Sequence, residues 1–297
     1  GVAGQLRLDL ADQWSAFAGG GYRVRPESAS SPETIEDAVS RPIRHTFTGN
    51  AGVERDLGPL RLRLAGDITR ETYGNAEISG GGTLPQDDRD TTLAMMRMRA
   101  GYQISPALRP FVEAEIGQRS FDEEFDRNGY RRSADRYGVH AGVEIDIQEK
   151  LRGEISAGWV SENPEDERLQ TMSGLSLAAN LAWSPMRGTT VALDASTEVE
   201  GSTIPGKTGS LYHSASVSVS RELRHNLTGS VLAGIGWRDY FGHDESDLVL
   251  RGEASLTWWL NRYAGVTGRA SHEAQRGTLP DRDYDETRLY LGMTFQR

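Results

Sequence analysis

Asp247-Leu248-Val249-Leu250-Arg251-Gly252-Glu253-Ala254-Ser255-Leu256-Thr257-Trp258-Trp259-Leu260 is the stretch that decides the fold. Leu248, Leu250, Gly252, Ala254, Leu256, Trp258 and Leu260 occupy the even positions. Val249, Arg251, Glu253, Ser255, Thr257 and Trp259 occupy the odd ones. A helix turns about 100° per residue and would place Arg251 or Glu253 among the leucines. A strand turns about 180° and separates the two sets, leaving one apolar face and one that tolerates water.

The same period of two recurs along the chain. Tyr137, Val139, Ala141, Val143, Ile145 and Ile147 alternate with Gly138, His140, Gly142, Glu144 and Asp146. Ala215, Val217 and Val219 alternate with Ser214, Ser216, Ser218 and Ser220, and Val191, Leu193 and Ala195 with Ala192, Asp194, Ser196 and Glu198. Further runs fall near 42–55, 59–73, 91–104, 107–121, 151–162, 173–184, 226–240, 263–274 and 286–296.

The connections alternate in length. Short turns are expected at Asp56–Pro59, Ser105–Ala107, Gln148–Lys150, Ser184–Arg187, Leu223–Asn226 and Leu260–Arg262. Longer polar loops are expected at 26–41, 74–90, 122–135, 163–172, 201–210, 241–247 and 275–285. Tight turns at one end and long loops at the other are the layout of bacterial outer-membrane barrels. The expectation is therefore a single domain over 1–297: a closed, up-and-down transmembrane β-barrel of about fourteen antiparallel strands, with 12–16 allowed, and both termini periplasmic. Gly4 to Arg25 is too long for one span. Either a bulge lies near Asp12, or the segment up to Ala11 lies outside the barrel wall.

Composition agrees with a barrel. Hydrophobic residues make up 37% of the 297 residues, below the roughly 45–50% of ordinary globular chains. A wall that is apolar on one face only needs no more. No run of about 18 apolar residues exists to form a membrane-spanning helix. The net charge of −10 argues against nucleic acid as a partner. With no cysteine, disulfides, thiolate metal sites and cysteine nucleophiles are excluded. The chain begins Gly-Val-Ala-Gly-Gln without a visible signal peptide, so an export signal is expected upstream. Trp14, Tyr22, Tyr73, Tyr102, Tyr137, Trp159, Trp183, Trp237, Trp258, Tyr263 and Tyr284 fall near strand ends, as an interfacial girdle requires. The C-terminal Leu289-Tyr290-Leu291-Gly292-Met293-Thr294-Phe295-Gln296-Arg297 is similar to the terminal strand read by the barrel assembly machinery, with Gln296 and Arg297 following the aromatic. Outer-membrane lipid and lipopolysaccharide, that machinery during biogenesis, and a periplasmic or envelope protein are the partners expected.

Arg132-Ser133-Ala134-Asp135-Arg136-Tyr137-Gly138-Val139, Gly142-Val143-Glu144 and Leu151–Trp159 resemble the putative β-barrel porin 2 family of proteobacterial outer-membrane proteins. So do Ser173–Ser176, Leu181–Pro185 with Thr189-Thr190-Val191, and Arg221–Leu227. The resemblance runs from about Tyr130 to the C-terminus. It implies a Gram-negative outer-membrane barrel, and, because members accompany exopolysaccharide production, a role in polymer export.

The alternation places a charged set inward: Arg61, Arg63, Arg97, Arg99 and Arg109 near the turn end, with Glu113, Glu115, Glu144, Asp146, Glu154, Asp194, Glu198, Arg251 and Glu253 on the following strands. Two readings compete. The first is a pore whose basic and acidic walls set a transverse field for polar solutes. The second is a set of cross-strand ion pairs that plugs the lumen, making the barrel a structural or assembly anchor. A third class, an outer-membrane hydrolase, would need a histidine beside Ser or Asp at one rim. His213 with Ser210 and Ser214 is the nearest arrangement, and His243-Asp244, His45 and His272 also fall near rims. No Gly-x-Ser-x-Gly or His-Glu-x-x-His accompanies them, so no enzyme and no cofactor is expected. The acidic loops Asp87–Asp90, Asp122–Glu124, Glu165–Glu167 and Asp281–Asp283 read either as Ca²⁺ sites or as solvated mixed-charge loops, and none has the twelve-residue calcium spacing.

Overall fold

A computed structural model describes residues 1–27, 40–79, 81–204, 207–278 and 282–295. All seventeen strands pair antiparallel: β1 (Val2–Asp9), β2 (Trp14–Pro26), β3 (Ile43–Leu57), β4 (Leu60–Tyr73), β5 (Ala76–Ile78), β6 (Gly82–Leu84), β7 (Thr91–Tyr102), β8 (Leu108–Phe121), β9 (Ala134–Ile147), β10 (Leu151–Pro164), β11 (Met172–Met186), β12 (Thr189–Gly201), β13 (Gly209–Arg224), β14 (Leu227–Phe241), β15 (Ser246–Trp259), β16 (Ala264–Gly277) and β17 (Tyr284–Phe295). Fifteen of them form one sheet in chain order. β5 and β6 form a separate hairpin inside the loop after β4, followed by a short 3-10 turn at Asp87–Arg89. Among the described residues no helix is long and apolar enough to cross a membrane.

The alternation expected for 247–260 is realised in β15. Leu250, Leu256 and Trp258 are exposed on the outer face, while Val249 turns inward and is buried. The same holds on β9, where Tyr137 and Val139 are exposed outward, and on β7, where Met96 and Met98 are. A period of two fixes every side chain once one pair is set, because a one-residue slip would swap the two faces. Most of the aromatics expected in a girdle sit on this outer face, among them Trp159, Trp183 and Trp258. Tyr73 and Tyr284 are corrections. Tyr73 lies beneath Arg89 on the inner face, and Tyr284 donates to Glu273.

The turns fall where expected, except that the one placed at Ser184–Arg187 is shifted to Arg187 and Gly188, because β11 continues to Met186. Gly58 and Gly188 take φ of 65° and 72° in two tight reversals, a region open to glycine at little cost. The seven longer connections, including those after β2, β4, β8 and β12, all lie at the opposite end. The expected loop 26–41 falls mostly, and the residues Asp281, Gln296 and Arg297 entirely, outside the described residues.

Two expectations need correction. The long run from Gly4 to Arg25 is neither one strand nor a bulged one. Asp12 and Gln13 both adopt positive φ, 58° and 63°, and reverse the chain. β1 then pairs with β2 from Val2↔Tyr22 to Asp9↔Ser15. β1 is thus an additional strand beside the expected set of about fourteen. Closure is the second correction: β1 and β17 end the sheet and do not pair with each other. With fifteen strands in antiparallel order, the first and last run in the same direction, so only a parallel ladder could join them, and none forms. The sheet nevertheless curls far round. Arg41, just before β3, lies 3.8 Å from Glu286 on β17.

Candidate functional site

The concave face has two unlike walls. On β4 and β7–β10 it carries long charged side chains. On β11, β13 and β14 it carries Ser176, Ala178, Asn180, Ser214, Ser216, Ser218, Gly234 and Gly236, placed inward by the same alternation. Small residues opposite large ones leave space. A cavity of about 1390 Å³ occupies the loop-side half, lined by residues from β2 round to β17. Arg25, Arg44, Glu71, Arg136, Glu198, Arg251, Glu273 and Arg288 contribute its charge, and Tyr73, Phe121 and Tyr212 its aromatic surface.

The charged wall is knitted by ion pairs across strands rather than divided into one basic and one acidic wall. Arg99 donates to Glu113 at 2.7 Å and Glu154 at 2.8 Å, and reaches Glu144 at 3.3 Å. Its guanidinium also lies 4.0 Å from the Phe111 ring. Arg109 takes the other oxygen of Glu144 at 3.1 Å. Arg61 pairs with Asp56 at 2.6 Å, and Arg97 with Asp67 at 2.6 Å. Arg63 stacks on Phe17 at 4.4 Å. A void of only about 10 Å³ remains between Glu54, Arg61, Arg63, Arg99, Arg109 and Glu144, room for about one water. Two of these pairs follow directly from strand register, with Arg99 opposite Glu113 and Arg109 opposite Glu144, whereas Arg97, opposite Glu115, reaches diagonally to Asp67.

The remaining residues of the inward set are dispersed. Asp146 pairs with Arg152 in an exposed position at the turn end. Asp194 accepts from Asn180 at 2.7 Å. Glu253 sits between Arg251 and Arg269, at 3.7 and 3.3 Å. The hydrolase arrangement does not assemble. His213 faces Thr197 at 3.0 Å, while Ser210 donates to Glu200 and Ser214 meets Ser196.

What sequence reading missed is the loop-side constriction. β11 pairs with β12 only from Ala179↔Ala195 to Met186↔Thr189, so the loop-side half of β12 leaves the wall. It crosses toward β8. Arg119 on β8 donates to the Val199 carbonyl at 3.0 Å while gripping Glu162 at 2.7 Å. β8 and β12 are four positions apart in the sheet order, about 19 Å along the wall, so this contact is possible only if β12 leans inward. The tip is tied to the loop after β8. Arg132, paired with Asp126 at 2.7 Å, donates to the carbonyls of Ile204 and Lys207. On the opposite flank Arg238 grips Glu200 at 2.7 Å, and Lys207 pairs with Glu245. Val160, Met172, Val199 and Leu211 fill the space behind the hairpin as a buried apolar cluster. The signal in the sequence is indirect: Arg119 faces Leu93 and Ala134 across its two ladders, and neither can hold its charge.

The acidic loops resolve as ion-paired loops. Asp88 pairs with Arg127 at 2.7 Å, Glu124 with Arg131 at 2.6 Å, and Asp122 with Arg70. The hydrogen bonds from Arg168 hold the Asp166 carboxyl well below the usual carboxylate range, and those from Arg70 hold Asp122 low. Burial instead pushes Asp90 up, against the 2.9 Å bond from the Tyr73 amide.

These features define a class: an antiparallel wall, apolar outside, that curls around a charged, partly constricted interior. The family comparison identifies the chain within it. The family model described as putative beta-barrel porin 2 matches residues 1–297, and the chain belongs to that family. No curated protein sequence matches it. Among solved structures it is similar to the FrpB iron transporter of Neisseria meningitidis (F5-1 variant), with TM-score 0.54 and 10% identity over 94% of this chain and 54% of that one. It is also similar to FpvA of Pseudomonas aeruginosa bound to heterologous pyoverdines, with TM-score 0.51 and 11% identity over 99% of this chain and 52% of that one. At these identities the likeness is one of fold, and the chain spans about half the length of these neighbours.

Proposed function

We propose that the chain works as a channel of the Gram-negative outer membrane, passing small polar solutes through a hydrated lumen without covalent chemistry. The observation that carries this is the 1390 Å³ cavity lined by charged and small polar side chains from β2 round to β17. Arginines and carboxylates share that lining, so selection is by size and by local charge pairs rather than by one net sign. In this reading the short turns and the end of β17 face the periplasm and the long loops face outward; β1 begins beside Tyr22 at the loop end, so the expectation that both termini share the periplasmic side does not hold. The plugged-anchor reading gains support from the ion-pair network, but that network hugs one wall, and the facing serines and glycines leave space. Export of a polysaccharide, which the family resemblance adds, would require the β12–β13 hairpin to move aside.

Arg97 is the reporter to use. It is 40% exposed and holds one partner, Asp67, so reversing its charge alters the lumen without dismantling the network. In planar bilayers under a KCl gradient, Arg97→Glu is expected to shift the reversal potential toward cation preference, raising the K⁺/Cl⁻ permeability ratio about twofold. An unchanged reversal potential would place Arg97 off the conduction path.

A further inference from the structure

On the concave face, Glu113 and Glu115 of β8 stand beside His140 of β9. One ligand atom from each lies within 4.8 Å of the others. Among the described residues this is the one group of three His, Asp or Glu side chains so placed. The register makes it: Glu113 is directly opposite His140, and Glu115 opposite Gly138. Two glycines shape the space. A Cβ on Gly138 would stand 2.6 Å from the Glu115 carboxylate, and one on Gly158 would stand 2.6 Å from the His140 ring. Any side chain at either position would push a ligand out of place.

Two polar atoms of this trio are buried without a hydrogen bond, Nδ1 of His140 and Oε1 of Glu115. The Glu115 side chain is only 10% exposed, and its nearest cation, Arg136 Nε, stands 3.5 Å away outside hydrogen-bonding geometry. A buried carboxylate oxygen and a buried imidazole nitrogen that both lack a hydrogen bond are costly unless something else meets them, and the long ion pair from Arg136 meets only the first. The flanking arginines do not supply it. Arg136 is shared with Glu162 at 3.8 Å, and Arg99 divides its charge among Glu113, Glu144 and Glu154.

We propose that Glu113, Glu115 and His140 form a lumenal binding site for a divalent transition-metal cation of the Zn²⁺ or Ni²⁺ type. One imidazole nitrogen with two carboxylates is a donor set for such ions, whereas Ca²⁺ and Mg²⁺ take oxygen ligands. Tetrahedral Zn²⁺ with bonds near 2.1 Å needs ligand atoms about 3.4 Å apart. Metal binding requires the two glutamates to rotate from within 4.8 Å to that spacing, with water completing the coordination.

The test is calorimetric titration of the purified, folded barrel in detergent with Zn²⁺. The expected result is one site per chain, weakened about tenfold or more by His140→Gln and by Glu115→Gln, and retained when His45, His213, His225, His243 and His272 are all changed to Gln. Co²⁺ gives a second readout, a visible tetrahedral spectrum lost in His140→Gln. Heat-modifiable migration on gels checks that each variant is folded. No saturable Zn²⁺ binding by the parent barrel, or equal binding by folded His140→Gln, overturns the proposal. Binding is read without any current, so its failure is separate from failure of the channel reading.

Discussion

Arg99→Ala is expected to destabilise the barrel by about 3 kcal/mol, the low end of what removal of one partner from a buried ion pair costs. The cost arises on the carboxylate side. Arg99 is 16% exposed and holds Glu113, which is 12% exposed, together with Glu144 and Glu154. Without the guanidinium, three carboxylates are left facing one another with no cation shared among them, in a region that otherwise holds room for about one water. Glu154 is 39% exposed and recovers part of its hydration, which keeps the loss from the top of the range. Arg99→Lys should fall between, since an ammonium keeps the charge but cannot fork between several carboxylates. Arg97→Ala, with one partner and 40% exposure, should cost about 1 kcal/mol or less. Urea unfolding from lipid vesicles measures all three. Equal losses for Arg97→Ala and Arg99→Ala would mean that the network does not act as a unit.

Shortening the β12–β13 hairpin should produce the largest functional change. Thr197 pairs with His213 in the β12–β13 ladder, so replacing residues 198–212 by Asn-Gly closes the hairpin with a tight turn at a register the strands already hold. The change removes Val199, which Arg119 binds, Glu200, which Arg238 binds, and the tip carbonyls held by Arg132. Single-channel conductance should rise about twofold or more as the loop-side constriction opens. Gel mobility with and without heating establishes that the variant is folded. A folded variant with parental conductance would place the limiting constriction elsewhere, the arginine wall at the turn end being the alternative.

The wall was legible in the sequence because a strand leaves a local trace. Leu250, Leu256 and Trp258 against Arg251 and Glu253 is a pattern that needs no knowledge of neighbours. The family resemblance was legible for the same reason, in short ordered segments such as Arg132–Val139. Pairings between adjacent strands follow once the register is set, which is why Arg99 and Glu113, or Arg109 and Glu144, could be placed on one face. Three features left no such trace. Asp12 and Gln13 carry positive φ without glycine, so the reversal that makes β1 a separate strand hides inside one alternating run. Closure depends on strand direction at the two ends, which alternation does not encode. The hairpin that leans inward depends on partners far apart in the chain, Arg119 with Val199 and Arg132 with Ile204. Orphan atoms such as His140 Nδ1 appear only once side chains have positions.

The central claim, that the charged concave face is a water-filled path across the membrane, is tested most directly by planar-bilayer recording of the purified, folded chain. Discrete current steps, linear in voltage at small potentials and growing with KCl concentration, are the expected result. A barrel that inserts into the bilayer, migrates as folded protein and passes no current would contradict it and favour a plugged structural anchor.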